Sequence, residues 1–216
     1  MSGNNLIVNN NGRKRRITTP LIALLIAVVI SIAFASVFVY YPMEVTLQPV
    51  QPPVYFETGS NADAYDLGRS DTTSNTISVS IGSNKASLTI TVHPTYQVTY
   101  YKNVSIVYNN DGKSYKVCFR VNTPLSDLPS GSKVYLYIYS QGGTRSLSGN
   151  PPTPSSYLAQ IDLISTGTTC VGTLDSDNFY EMDLYIYIPE GASGITSTTY
   201  TAEIHLIYTP SSETPP

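Results

Sequence analysis

Tryptophan is absent from this 216-residue chain, histidine and cysteine occur only twice each, and 12% of the residues are charged. A histidine-based nucleophile triad, or a zinc site with two histidines, would need both His93 and His205, and neither lies in a recognisable motif. The sequence has no glycine-rich phosphate loop, no Gly-x-Ser-x-Gly and no His-Glu-x-x-His. A carbohydrate-processing groove without tryptophan is also unusual. We therefore predict that the protein is not an enzyme and uses no cofactor.

One group of acidic residues offers oxygen ligands. Asp175 and Asp177 are two residues apart, with Glu181 and Asp183 nearby, and such oxygens are ligands that Ca²⁺ prefers. The segment lacks the calcium-loop pattern, which has glycine at the turn and glutamate at the end. We interpret these residues as ordinary solvated loop carboxylates and expect no bound metal.

Charge is divided unevenly along the chain. Four of the twelve basic residues precede residue 36, whereas all fifteen acidic residues follow it, so residues 36–216 hold eight basic against fifteen acidic residues, a net charge of −7. A nucleic-acid-binding domain presents a basic face. The composition therefore excludes nucleic acid as a partner.

The N-terminus has the pattern of an export signal. Arg13–Arg16 is basic, residues 20–34 carry no charge, and Ala33-Phe34-Ala35 is a small-x-small cleavage pattern. We predict that residues 1–35 form a signal peptide that is cut between Ala35 and Ser36, so that the rest of the chain is extracellular. The segment would then meet a membrane only before cleavage.

Two other interpretations of this segment stay open. Residues 17–41 number 25, enough to cross a bilayer as an uncleaved helical anchor with its basic end inside. Alternatively, the leader is cut before Ile17, as in type IV pilins, and the apolar run survives as an assembly helix. In that case Arg16 stands where a small residue is usual.

Beyond the leader, apolar and polar residues alternate in short runs and no window shows helical periodicity, which predicts an all-β domain. We expect hairpins over residues 77–92 and 96–121, tyrosine-bearing strands at 134–139 and 184–188 with aliphatics in the core and rings outside, and a last strand at about 200–208. The pattern predicts one jelly-roll or immunoglobulin-like β-sandwich over residues 54–210. The segment 142–154 is predicted to be a loop, and residues 211–216 are predicted to be a flexible tail.

Cys118 and Cys170 are the only cysteines. In an exported chain, pairing them in a disulfide is the natural prediction, with two buried thiols as the alternative. Neither has a second cysteine or a histidine at the spacing of a zinc site.

Asn103-Val104-Ser105 is the only N-glycosylation motif. An N-glycan on Asn103 is a candidate modification. The motif falls inside a predicted strand, so the glycan would need an edge strand or an outer face.

The mature N-terminus is predicted to be a free apolar strand. Val37, Val39 and Tyr41 lie on one face, and Phe38 and Tyr40 on the other. We call residues 36–47, which also include Val45 and Leu47, the donor segment. Such a strand either fills a gap in the sandwich of a neighbouring copy or folds back into its own sheet. Residues 48–53 are rich in proline and act as a stiff spacer.

The layout of export signal, apolar strand, Tyr-Pro, proline-rich stretch and β-domain resembles archaeal extracellular filament subunits. Residues 87–97 (SLTITVHPTYQ) and 100–103 (YYKN) also resemble these thread and bundling-pilus proteins, which look related to the bacterial biofilm fibre protein TasA. The resemblance implies glycosylated jelly-roll subunits that join by donor-strand complementation and serve adhesion and biofilm formation.

We therefore expect a structural subunit of a cell-surface filament. Its partners would be identical subunits in a homopolymer, neighbouring filaments and cell surfaces. The alternative function is that of a membrane-anchored extracellular binding domain, such as an adhesin or a surface-layer accessory protein.

Overall fold

The computed structural model describes residues 18–33, 40–66, 75–192 and 199–213, in two units that span residues 1–48 and 49–216. The described part of the first unit includes the helix α1 (Thr18–Ala33), which is uncharged. Tyr40 and Tyr41, the last residues of the segment considered as a membrane anchor, are not helical. Within the described ranges, no helix has both the length and the apolar character that a membrane span requires. The predicted cleavage site Ala35–Ser36 lies outside the described residues.

The second unit consists of strands, as predicted. They are β1 (Val54–Thr58), β2 (Ser78–Ile81), β3 (Leu88–Thr91), β4 (Gln97–Asn109), β5 (Tyr115–Thr123), β6 (Lys133–Ser140), β7 (Ser146–Ser148), β8 (Thr153–Ser155), β9 (Ala159–Asp162), β10 (Gly167–Leu174), β11 (Phe179–Ile188) and β12 (Glu203–Pro210). β1 begins at Val54, and β12 ends at Pro210.

All strand pairs are antiparallel. A five-stranded sheet has the order β1-β4-β11-β6-β9, and a three-stranded sheet has the order β10-β5-β12. Two hairpins, β2–β3 and β7–β8, form small sheets of their own. From β9 onward, each strand lies in the sheet opposite to that of the strand before it.

One apolar core joins the two larger sheets. Leu136, Ile138 and Met182 from the five-stranded sheet are buried in the same cluster as Val117 and Phe119 from β5. The alternation predicted for β6 and β11 is confirmed, because Leu136 pairs with Leu184 and Val134 with Ile186, while the tyrosines between them face the other side. Because successive side chains of a strand point to opposite faces, the alternation assigns each side chain to one face of the sheet.

The predicted hairpin over residues 77–92 is confirmed as β2–β3, with Ser78 paired to Thr91 and Ile81 to Leu88. The predicted hairpin over 96–121 is wrong. Its strands β4 and β5 exist, but β4 pairs with β1 and β11 while β5 pairs with β10 and β12. The connection crosses between sheets and is held by Asn109, whose buried Nδ2 donates to the carbonyls of Lys113, Leu174 and Asp175 at 2.8, 3.1 and 3.0 Å.

The segment 142–154, predicted to be an irregular loop, contains β7 and the start of β8. The turn between these strands includes a cis peptide bond from Asn150 to Pro151. Strands of three residues are too short to produce a recognisable alternation, so the sequence pattern missed them.

Cys118 and Cys170 form a disulfide, as predicted. The two residues are directly opposite each other on neighbouring strands β5 and β10, with their Cα atoms 3.9 Å apart. The bond closes a loop with a sequence separation of 52 residues. It links the β10 edge of the three-stranded sheet to its central strand.

Replacing both cysteines by alanine is expected to lower the free energy of unfolding by about 2–4 kcal/mol, because a closed loop of this length restricts the unfolded chain. Urea denaturation followed by circular dichroism measures the change. The wild-type chain under reducing conditions serves as the control and should lose a similar amount. A change below about 0.5 kcal/mol in both samples would show that the disulfide does not stabilise the fold.

Candidate functional site

The described part of the donor segment is neither helix nor strand. Its apolar side chains are exposed: Tyr40 by 89%, Tyr41 by 85%, Val45 by 64% and Leu47 by 84%. Val37, Phe38 and Val39 lie outside the described residues. Proteins rarely leave so many closely spaced apolar side chains in water without a partner to cover them.

Three strands of the second unit bury their core-facing side chains only partly. They are β2, β3 and β12, and their half-buried apolar residues are Val79, Ile81, Leu88, Ile90, Ile204, Leu206 and Tyr208. The core-facing residues of β5 are different, since Val117, Phe119 and Val121 are at most 2% exposed. We call the side of the sandwich formed by β2, β3 and β12 the open side.

The strands of the open side also have free edges. β12 pairs with β5 alone, and β2 and β3 pair only with each other, among the strands that the structure describes. A strand edge with unpaired N–H and C=O groups can accept a further strand. The open side therefore combines exposed apolar surface with unsatisfied backbone.

A buried ion-pair network lies on the other face of the five-stranded sheet. Arg145, from the segment before β7, contacts Asp183 through Nε and Nη2 at 3.0 Å each and also forms an ion pair with Glu181. Asp183 is 0% exposed and Glu181 7%. Our prediction that these two carboxylates are solvated is wrong, because the segment 142–145 covers them.

The oxygen atoms of the two carboxylates also accept hydrogen bonds from other groups. Asp183 accepts from the amide of Asn103 at 2.7 Å and from the hydroxyl of Tyr100, and Glu181 accepts from the amide of Gly142 at 3.1 Å. Burial and the bond to Asp183 raise the pKa of Tyr100. Burial alone lowers the pKa of Arg145, but hydrogen bonds and charge from Asp183 and Glu181 outweigh it and raise the pKa overall. The hydrogen-bonding groups of Arg145 and Asp183 are thus occupied within this network, an arrangement that fixes structure.

Tyrosines surround this network. Tyr137, Tyr139 and Tyr185 are at most 2% exposed and form a cluster of their own, separate from the main core. Arg145 lies over the ring of Tyr139 at 4.3 Å, and the ring of Tyr157 lies 4.7 Å from that of Tyr137. The prediction that rings occupy the outer face is confirmed, and the segment around β7 and β8 explains how they become buried there.

The other predicted site residues lie apart from one another. The backbone amide of His93 donates to Asp66 Oδ2 at 2.6 Å, and His205 Nε2 lies 3.1 Å from Glu203 Oε1. Asp175 is exposed and accepts from Ser114 Oγ at 2.8 Å. No cluster of three or more metal-binding side chains occurs in the part of the chain that the structure describes.

The glycosylation candidate lies at an irregular position of β4. Asn103 is half-buried, has a φ of +43° and falls where the pairing between β4 and β11 shifts register. An added Cβ on Gly59 would lie 2.1 Å from the carbonyl oxygen of Asn103, so the chain packs tightly against it. Ser105 is 0% exposed and donates to the carbonyl of Glu57 at 2.6 Å. The glycan on Asn103 stays a prediction, and β4 is not an edge strand.

No protein-family model matches this chain, and no curated protein matches it either.

Proposed function

We propose that this protein is the structural subunit of an extracellular filament that assembles head to tail by donor-strand complementation. The donor segment of one subunit enters the sandwich of the next, and repetition of this heterologous contact produces an open polymer. The observation that carries the proposal is the exposure of the apolar side chains of the donor segment, together with an open side that lacks apolar cover. Adhesion and biofilm formation are the roles we assign to the filament.

For the connectivity of the sandwich we propose a jelly roll. Strands that are neighbours in the two larger sheets are never consecutive in sequence, and from β9 to β12 each strand lies in the other larger sheet from the strand before it. Greek-key connections of this kind build jelly rolls. The disulfide supports an oxidising, extracellular location.

For the route of export we propose the signal peptide of residues 1–35. Mass spectrometry of the subunit in sheared filaments tests this, because cleavage after Ala35 leaves Ser36 as the first residue. A first residue at position 17 would instead support assembly through a helix, as in a type IV pilin. Intact chains found only in the membrane fraction, without filaments, would support the membrane-anchored binding domain.

Two neighbouring tyrosines provide a matched test of assembly. Tyr41 lies on the same face of the donor segment as Val37 and Val39, whereas Tyr40 lies on the opposite face. We expect Tyr41→Asp to reduce the yield of filaments by about tenfold or more, because it would bury a charge without a partner. Tyr40→Asp should change the yield by less than about twofold, since its side chain stays in solvent.

Filament yield is measured by electron microscopy and by the pelleted fraction of subunit from cells that express each full-length variant. Both tyrosines are more than four-fifths exposed in the single chain, so the variants should fold equally well, which circular dichroism checks. Equal yields for the two variants, or filaments whose subunits contact each other elsewhere, would contradict the proposal.

A further inference from the structure

We propose that the donor segment inserts between β12 and the β2–β3 hairpin of the neighbouring subunit and completes the second layer of its sandwich. This inference rests on the proposed function. It identifies the strands that receive the donor segment, and hence the surface of each subunit that becomes buried on assembly.

The order of strands across the second layer follows from contacts at the two edges of the five-stranded sheet. At one edge, β9 lies against β10 and β5. At the other edge, β1 lies against β2, and the amide of Phe56 donates to the carbonyl of Lys85 in the β2–β3 turn at 3.0 Å. Because the three-stranded sheet has the order β10-β5-β12, its β12 edge is the one that faces the hairpin.

Burial changes across this layer in the way that a missing strand requires. The core-facing residues of β5 are almost completely buried, as are most of those of the five-stranded sheet opposite, where Leu184 is the half-buried exception. On β12, Ile204, Leu206 and Tyr208 all keep part of their surface exposed, and the core-facing residues of β2 and β3 do the same. Incomplete burial is thus found on both sides of the same gap. One additional strand would cover both rows of side chains.

The donor segment has the pattern of a strand with one face in a core. One face is apolar at every position from 37 to 47, with the residues Val37, Val39, Tyr41, Met43, Val45 and Leu47. The opposite face begins with Phe38 and Tyr40 and ends in the polar residues Glu44 and Thr46, and would lie in solvent. The solvent-facing residues of the hairpin are also polar, namely Ser78, Ser80, Thr89 and Thr91. Over residues 43–47, the donor segment and the hairpin therefore match in polarity on both faces.

The length and the backbone of the donor segment are also compatible with insertion into this gap. Residues 37–47 as a strand would span about 36 Å, against about 26 Å for the eight residues of β12, so the donor segment can cover the whole gap. An inserted strand would pair with the free edge of β12 on one side and with the hairpin on the other. Pro42 lacks an N–H and removes one bond from one of these two ladders.

Photo-cross-linking within filaments tests this placement. A benzophenone-bearing amino acid replaces Glu44 or Thr46 in the full-length chain, filaments are irradiated, and mass spectrometry identifies the joined peptides. We expect cross-linked dimers and longer ladders on gels, with most cross-links from the donor segment to residues 78–91 or 203–210. The same amino acid in place of the exposed Thr168 on β10 is the matched control and should form no cross-link to a donor segment.

Each other outcome overturns a specific part of the argument. Cross-links between subunits that join the donor segment to β9 or β10 would overturn the gap as the acceptor but leave donor-strand assembly intact. Cross-links confined to single chains would show that the segment fills its own sandwich, which overturns this inference. Filaments without any cross-link from the donor segment to a neighbouring sandwich would overturn the proposed function as well.

Discussion

Raising the pH from 10 to 11 is expected to lower the free energy of unfolding by about 3 kcal/mol, through Tyr101, Tyr137 and Tyr180 alone. Burial raises the pKa of all three, that of Tyr180 to about 12 with a smaller contribution from Asp175. Each side chain is at most 6% exposed. These tyrosines stay neutral in the folded state, whereas the unfolded chain releases their protons near pH 10.

The direction in which the free energy of unfolding changes with pH follows from the raised pKa values. A group whose pKa is higher in the folded than in the unfolded state stabilises the fold fully below the unfolded pKa, and that contribution is lost as the pH rises above it. The loss between pH 10 and 11 amounts to about 1 kcal/mol for each tyrosine, since the unfolded side chain is only half ionised at pH 10. Stability should therefore be flat below about pH 9 and fall steeply above pH 10.

Urea denaturation at pH 8, 10 and 11 measures this loss, and tyrosinate absorbance at 295 nm reports ionisation directly. Tyr137→Phe should reduce the loss by about 1 kcal/mol, because one titrating group is removed. Tyr65 is 82% exposed, and Tyr65→Phe is the matched control that should leave the loss unchanged. Ionisation of all tyrosines near pH 10 in a chain that remains folded would contradict the prediction.

Replacing Arg145 by methionine is expected to lower the free energy of unfolding by about 3–5 kcal/mol. The substitution keeps most of the side-chain volume but leaves Glu181 and Asp183 buried without their cation. A buried carboxylate without a partner is driven towards its protonated form. Urea denaturation at neutral pH measures this loss.

Two further variants separate the charge of Arg145 from its packing. Arg120 is exposed on β5, and Arg120→Met should change the free energy of unfolding by less than about 0.5 kcal/mol. Combining Arg145→Met with Glu181→Gln and Asp183→Asn removes all three charges and should recover part of the lost stability. If the triple variant is no more stable than Arg145→Met alone, lost packing rather than unpaired charge is responsible.

The sequence predicted those elements whose pattern is local. Alternation over four to eight residues was sufficient to assign the β2–β3 hairpin and the two faces of β6 and β11. The connection from β4 to β5 was misassigned because Asn, Asp and Gly serve equally well in a hairpin turn and in a crossing between sheets. The partner of a strand depends on distant segments, and no local pattern encodes it.

Some features of the candidate site could likewise be predicted from the sequence, and others could not. The apolar alternation of the donor segment is visible in sequence, since it is a property of consecutive residues. The ion pair between Arg145 and Asp183 joins residues 38 positions apart, one of them in a segment that resembles an ordinary loop. The open side could not be predicted either, because the half-buried residues of β12 are apolar, like the buried residues of β5.

The alternation of successive strands between sheets determines when this domain can fold. β4 begins at residue 97, but its central neighbour β11 ends only at residue 188, and β5 needs β12, which ends at residue 210. Such a domain has a high contact order and folds slowly, in about milliseconds to seconds, with little native structure before β12 has been synthesised. A domain that stays unfolded until its last strand is available suits threading through a translocation channel, so this topology would delay folding until after the export that we propose.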